Sequence, residues 1–233
     1  MAIGPFYVAE KLKQGGAMKG IALLMRHGET AWNREGRVMG RNPVKLDAHG
    51  RAQVESAIPL ARLVKPELIV TSPLIRARES AEIIAGGLEN VSIVEEPKLA
   101  EVLYGRWEGK VYDELMEDPE YRRYQEHPLE MTTPGGETIA QVQSRGVETV
   151  MHTVAANAGR RILFVSHGDI IRTILCHFMG LELENFRRIR VDNATFTGIH
   201  IIGDFAEVKF VNLLPDPARA FVAPFASKKN APV

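Results

Sequence analysis

Short apolar runs and stretches of roughly helical periodicity alternate along much of the chain. Ile21-Ala22-Leu23-Leu24-Met25 is apolar throughout, and polar residues return at once in Arg26-His27-Gly28-Glu29-Thr30, so the pattern predicts a fully buried strand ending there. Asp47 is a candidate N-cap, and Val54, Ile58 and Leu63 behind it fall at about helical spacing as far as Lys65-Pro66. Leu68-Ile69-Val70-Thr71 is expected to be a second buried strand. Ser72-Pro73 then offers a cap and a first-turn proline for a helix running to about Leu88, with Gly86-Gly87 and a turn at Asn90 to stop it. Val91 to Val94 completes a strand, helix, strand, helix, strand order, the signature of crossovers that build a largely parallel sheet.

The rhythm breaks between residues 110 and 135, where Asp118-Pro119, His127-Pro128 and Pro134-Gly135-Gly136 punctuate short charged helices such as Tyr121 to Glu126. A long helix is expected from Glu137 to Asn157, with Ile139, Val142, Val147, Val150 and Met151 on one face. Ile162 to Val165 predicts a central strand, Ile170 to Met179 a helix, and Thr195 to Ile202 and Val208 to Leu213 two closing strands. The fold class is α/β: three layers, α/β/α, with a mostly parallel central sheet and a small helical cap inserted at about 110–135. Residues 1–18 are expected to be a flexible N-terminal arm, 19–213 the folded domain and 214–233 a loose C-terminal tail.

Composition narrows the function classes. Lys plus Arg and Asp plus Glu each number 29 in 233 residues, so the formal net charge is zero and generic nucleic-acid binding is disfavoured, though a local cationic pocket is not. Cys176 is the one cysteine, which excludes an intrachain disulfide and a cysteine-built zinc site and fits a reducing, cytoplasmic setting. No apolar run approaches a membrane span, and the stretch from Met1 to Lys19 lacks a continuous apolar core of the kind that signals export.

The chemistry collects at strand ends. Two strands finish in a histidine followed by glycine, Arg26-His27-Gly28 and Ser166-His167-Gly168. Ligands of open parallel sheets bind outside the carboxyl ends of the strands, so both imidazoles are expected to meet there. Glycine after each histidine admits close backbone approach, and the helix opening near Asp169 aims N–H groups at an anion. A third strand end places Arg76 one turn into a helix at the same edge. Arg26 and Arg76 offer planar guanidinium forks for tetrahedral oxygens, and with two histidines they point to a phosphoryl group.

These residues resemble the histidine phosphatase superfamily, the phosphoglycerate-mutase-like, cofactor-dependent branch. The resemblance rests on Arg26-His27-Gly28-Glu29-Thr30 with Trp32-Asn33, Gly40-Arg41, Ser72-Pro73-Leu74 with Arg76-Ala77, Glu101, Tyr104-Gly105, Trp107-Glu108-Gly109, Pro134-Gly135-Gly136-Glu137 and Ser166-His167-Gly168. It implies that His27 is the nucleophile, taking the phosphoryl group as a phosphohistidine that water then attacks. Arg26, Arg76 and His167 would surround the transferring oxygens, and Asn33 would donate to the phosphate. Glu101 would protonate the leaving alcohol and then activate water. Gly40, Tyr104 and Gly168 would line the substrate pocket. Neither metal nor cofactor is implied, the partner is a small phosphorylated substrate, and a homodimer stays open.

Competing readings attach to several residues. Arg78 competes with Arg76, and Glu108 and Glu137 with Glu101, as groups that hold loops or the pocket edge together. Asn33 could instead cap the following turn. His49, His127, His152, His177 and His200 lack metal-ligand spacing, Cys176 reads as a core residue, and Arg187-Arg188-Ile189-Arg190 as a solvated connection. Tyr112 stands where mutases of the family carry lysine, the insert is short, and Met39 puts apolar surface before Gly40. These three favour a phosphomonoesterase over a mutase, whereas Arg122-Arg123 resembles the mutase carboxylate clamp. Asp169 is a further departure, innocuous as an N-cap but repulsive to phosphate if turned inward. A metal-independent phosphomonoesterase is therefore expected, with a phosphoglycerate-mutase-type isomerase and a catalytically weak phospho-ligand-binding regulator as alternatives.

Overall fold

The computed structural model describes residues 19–214. The N-terminal arm and all but the first residue of the C-terminal tail lie outside the described residues. Strand β1 (Lys19–Arg26) is followed by a short helix α1 (Ala31–Arg34), helix α2 (Ala48–Val64), strand β2 (Leu68–Thr71), helix α3 (Ile75–Gly86) and strand β3 (Ser92–Glu95). Helices α4 (Tyr112–Leu115), α5 (Pro119–Glu126) and α6 (Ile139–Ala156) lead to strand β4 (Arg161–Ser166), helix α7 (Gly168–Met179) and the hairpin β5 (Phe196–Ile202) and β6 (Phe205–Leu213). Three 3-10 turns, Pro97–Leu99, Gly105–Trp107 and Leu183–Arg188, complete the path.

One sheet carries the order β3-β2-β4-β1-β5-β6. The first four strands in that order run parallel, and β5 and β6 are antiparallel additions. Side chains alternate between faces along each strand, so Ala22, Leu24, Ile162 and Phe164 pack with α6 and α7, whereas Leu23, Met25, Leu163 and Val165 pack with α2 and α3. The expected three-layer α/β/α class is the observed one. Among the described residues no helix is long and apolar enough to cross a membrane.

Three local expectations need correction. Leu63 does not share the buried stripe of α2: it is 77% exposed, and the stripe is Gly50, Val54, Ala57 and Ala61. Small side chains there let the helix lie close to the sheet, so closeness of approach rather than apolar bulk selects the face. Ser72 does not cap α3, which starts after Leu74 with no side-chain cap. Asp169 does not cap α7 either, because His167 holds the N-cap position and Asp169 lies in the first turn.

The hairpin braces the end of β1. Asn212 in β6 adopts φ of 57°, a conformation that asparagine tolerates. Its side chain accepts from Asp192 N and Thr195 Oγ1 and donates to Asp192, fixing the turn before β5. That turn grips β1: Ala194 N donates to Arg26 O at 2.9 Å, Asn193 Nδ2 to His27 O at 2.9 Å, and Val191 O accepts from Arg26 Nη1 at 2.8 Å.

Helix α2 meets the loop after β1 without room for a side chain. A Cβ on Gly50 would lie 1.9 Å from the carbonyl oxygen of Glu29. Backbone on both sides cannot swing away, so Gly50→Ala should lower the unfolding free energy by about 1–3 kcal/mol. A wild-type midpoint in urea denaturation would contradict this packing.

Candidate active site

The parallel ladder between β1 and β4 ends on the pair Arg26 and Ser166, and His27 N extends it by donating to Ser166 O at 3.0 Å. Each histidine therefore follows the last paired residue of its strand, and the two rings lie with centroids 5.2 Å apart, tilted by 56°. Both side chains are buried. His27 Nδ1 sits 2.6 Å from Gly28 O, a carbonyl that can only accept, so Nδ1 carries the proton and Nε2 keeps a lone pair. Arg76 Nε donates to that Nε2 at 3.3 Å. Burial, then the positive charges of Arg76 and Arg26, hold His27 well below the ordinary imidazole range, which keeps it neutral with a lone pair on Nε2.

Arg76 is wholly buried at the second position of α3, and its fork also donates to Asn42 O at 3.1 Å and Gly40 O at 2.8 Å. Burial lowers it to about 10, with Glu101 opposing and Arg26 reinforcing, so it remains a cation at neutral pH. Gly40 adopts φ of 50°, and a Cβ there would lie 2.0 Å from Glu108 Oε1. Glu108 accepts from the backbone of Arg41 and Tyr104 and from the Asn42 amide, which makes it a staple for the loop that Arg76 touches.

Glu101 arrives after the 3-10 turn Pro97–Leu99, itself tied to β4 by Ser166 Oγ donating to Leu99 O at 2.7 Å. Its backbone is pinned twice, because Arg41 Nε and Arg145 Nη2 donate to Glu101 O at 3.3 and 3.2 Å. Glu137 pairs with both arginines and accepts from Leu103 N, so this second rival of Glu101 serves as an anchor. Burial resists ionisation of Glu137, yet the Leu103 N–H and Arg145 hold its carboxyl below the usual range. The Glu101 carboxyl moves the other way: burial, then the charge of Asp169, raises it against the hydrogen bond from Val102 N and the pull of Arg76.

Asp169 is turned inward. Tyr104 donates its hydroxyl to Asp169 Oδ2, and Arg172 Nη1 donates to Oδ1 at 2.7 Å. Burial opposes its charge, but Arg172 and the tyrosine keep it ionised below the usual range. An inward carboxylate is thereby compensated by a guanidinium one helical turn away.

Arg26, His27, Asn33, Gly40, Arg76, Glu101, Tyr104 and Gly168 line one small cleft of about 80 Å3. His167 lies buried against His27. Asn33 closes a capping box with Thr30 through Oδ1, and the same side chain lines the cleft, so capping and pocket placement coexist. Arg37, Val38, Met39, Tyr112, Asp169 and Arg172 complete the wall. Arg37 and Arg172 are cations that inspection of the sequence missed. The i, i+3 spacing of Asp169 and Arg172 was the available signal for the second, whereas Arg37 is held by Gly109 O, distant in sequence. Arg78 faces Glu95 instead. Arg122 and Arg123 are exposed on α5, contacting Met116 O and Glu130, and neither lines the cleft. Arg187 is not simply solvated: its guanidinium lies 4.7 Å from the Tyr124 ring centroid and donates to Tyr124 O and Gln125 O, tying its turn to α5. Among the described residues no group of histidine, cysteine, aspartate and glutamate side chains could hold a metal, and Cys176 is buried in the core.

Known proteins resemble the chain in sequence and in fold. Phosphoserine phosphatase 1 of Hydrogenobacter thermophilus is 30% identical over 181 residues, 77% of this chain and 85% of that protein. A Klebsiella pneumoniae protein named "Probable phosphoglycerate mutase GpmB" is 33% identical over 178 residues, 76% of this chain and 82% of its own length. The solved structure of Bacillus stearothermophilus YhfR superposes with a TM-score of 0.78 at 29% identity, covering 84% of this chain and 98% of that one. The profile of the histidine phosphatase superfamily (branch 1) matches residues 22–214, and the chain belongs to that family.

Proposed function

We propose that the chain is a metal-independent phosphomonoesterase that hydrolyses a small phosphorylated metabolite through a phosphohistidine. The observation that carries this reading is the pairing of a neutral, buried His27 whose Nε2 lone pair faces Arg76 with a Glu101 carboxyl in the same cleft, shifted above its usual range by burial and by Asp169. In the first step Nε2 attacks phosphorus, the bond to the leaving oxygen breaks, and Glu101 passes its proton to that oxygen. In the second, the Glu101 carboxylate takes a proton from water, the water oxygen attacks phosphorus, and the P–N bond returns its electron pair to His27. Arg26 and Arg76 balance charge on the transferring oxygens throughout. Similarity to a phosphoserine phosphatase supports a small substrate.

The mutase reading draws support from the Klebsiella relative. Against it stand the position of Arg122 and Arg123 away from the cleft and the tyrosine at 112 on its rim. We further place the protein in the cytoplasm, in line with its single cysteine, and leave a homodimer as a proposal for solution measurement.

Purified protein should release phosphate from p-nitrophenyl phosphate in EDTA at the rate seen without it, and His27→Ala should lose about 10³-fold or more in kcat. Interconversion of phosphoglycerates with a bisphosphoglycerate primer, without net release, would favour the mutase. Loss of only a few-fold in His27→Ala would favour a binding role.

The pH profile carries a second test. His27, held below 6.5, stays unprotonated on the acid side of neutrality, so the acid limb should fall below that value. Glu101, raised above 4.5, supplies its proton until pH climbs through its displaced value, so the alkaline limb should belong to it and vanish in Glu101→Gln. That variant should lose about 10²–10⁴-fold on alkyl phosphates and far less on p-nitrophenyl phosphate, whose leaving group departs unprotonated. Equal losses on both substrates would remove Glu101 from proton transfer.

A further inference from the structure

Ser72 lies wholly buried between β2 and α3, and its hydroxyl is 2.7 Å from Nε2 of His167. We propose that Ser72 is a positioning residue that fixes His167 as the Nδ1–H tautomer, so that His167 meets the phosphoryl group as a hydrogen-bond donor. This rests on the phosphatase reading for its purpose, though not for its geometry.

Two independent requirements give the same tautomer. The first concerns the hydroxyl. Ser72 Oγ already accepts from Leu74 N at 3.2 Å. A buried hydroxyl must also place its proton, and His167 Nε2 is the acceptor beside it among the described residues. Ser72 therefore donates, and Nε2 is left without a hydrogen. The second concerns the ring. His167 is held neutral by burial, by Arg76 and by His27, so one nitrogen carries the single proton. Its Nδ1 is buried with no protein partner among the described residues, in an enclosure whose charges, Arg26 and Arg76, suit an anion. An Nδ1 lone pair would repel a phosphoryl oxygen, whereas Nδ1–H binds one. The opposite tautomer would orphan the serine proton and, with the phosphoryl group seated at Nδ1 as proposed, set a lone pair against it.

The direct test is long-range 1H–15N NMR of the full-length protein, with His167 signals assigned by their loss in His167→Gln. The expected result is a protonated Nδ1 and a bare Nε2 in the wild type. A protonated Nε2 overturns the proposal whatever the activity. Ser72→Ala should bring in the Nε2–H tautomer and weaken binding of inorganic phosphate about 10- to 100-fold, while Ser72→Thr, which keeps the hydroxyl, restores both readouts. Unchanged phosphate affinity in a folded Ser72→Ala also overturns it. A wild-type protein with the Nδ1–H tautomer but no phosphate release would sink the phosphatase reading and leave the tautomer assignment standing.

Discussion

The register between β1 and β4 is the constraint on which the rest depends. With Arg26 opposite Ser166, the residues that follow on both strands emerge side by side at the same sheet edge, and both are histidines. A slip by one residue would turn one strand's side chains to the other face relative to its neighbour and separate the two imidazoles. Alternating apolar residues guard against that slip. Leu23 and Met25 are shaped into one core and Ala22 and Leu24 into the other, so the two hydrophobic layers that stabilise the fold also specify where the chemistry sits.

Around this pair the electrostatics separate two groups that the proposed mechanism uses in opposite protonation states. Guanidinium charge and burial act together on His27 and discourage its protonation. Burial and a neighbouring carboxylate act together on Glu101 and encourage it. Asp169 adds to the effect of burial: compensated by Arg172 and Tyr104, it keeps its charge and shifts Glu101 further toward the protonated form. The feature that looks repulsive to a phosphate dianion in the linear sequence thus acts on Glu101. Glu108 and Glu137 share the acidity of Glu101 in composition but not in surroundings, since each is saturated by backbone N–H groups or arginines and has become part of the scaffold.

Much of this was legible beforehand because strand ends and short motifs are local. The apolar runs at Ile21, Leu68 and Ile162 reported buried parallel strands, and the turn to polar residues marked where each strand stops. Leu63 misled because hydrophobicity was read as a proxy for burial in a helix whose contact face is made mostly of small residues, Gly50, Ala57 and Ala61 around Val54. Ser72 misled because a serine before proline is a common helix start, while its hydroxyl is engaged by a histidine 95 positions away. Arg37 and Arg145 were invisible for the same reason: beyond their ion pairs with Glu35 and Glu137 they hold backbone carbonyls of other loops, and no spacing rule addresses such contacts.

The bracing of β1 by the terminal hairpin has a consequence for biosynthesis. The candidate nucleophile lies near the start of the chain, yet its strand is flanked by β4 and β5, and the turn that grips Arg26 and His27 is itself secured by Asn212. Contacts such as Arg26 to Val191 span 165 positions. A ribosome must therefore deliver almost the whole described chain before the earliest-made part of the site can be held in place, and a nascent polypeptide stopped short of Asn212 carries His27 without the architecture that aims it.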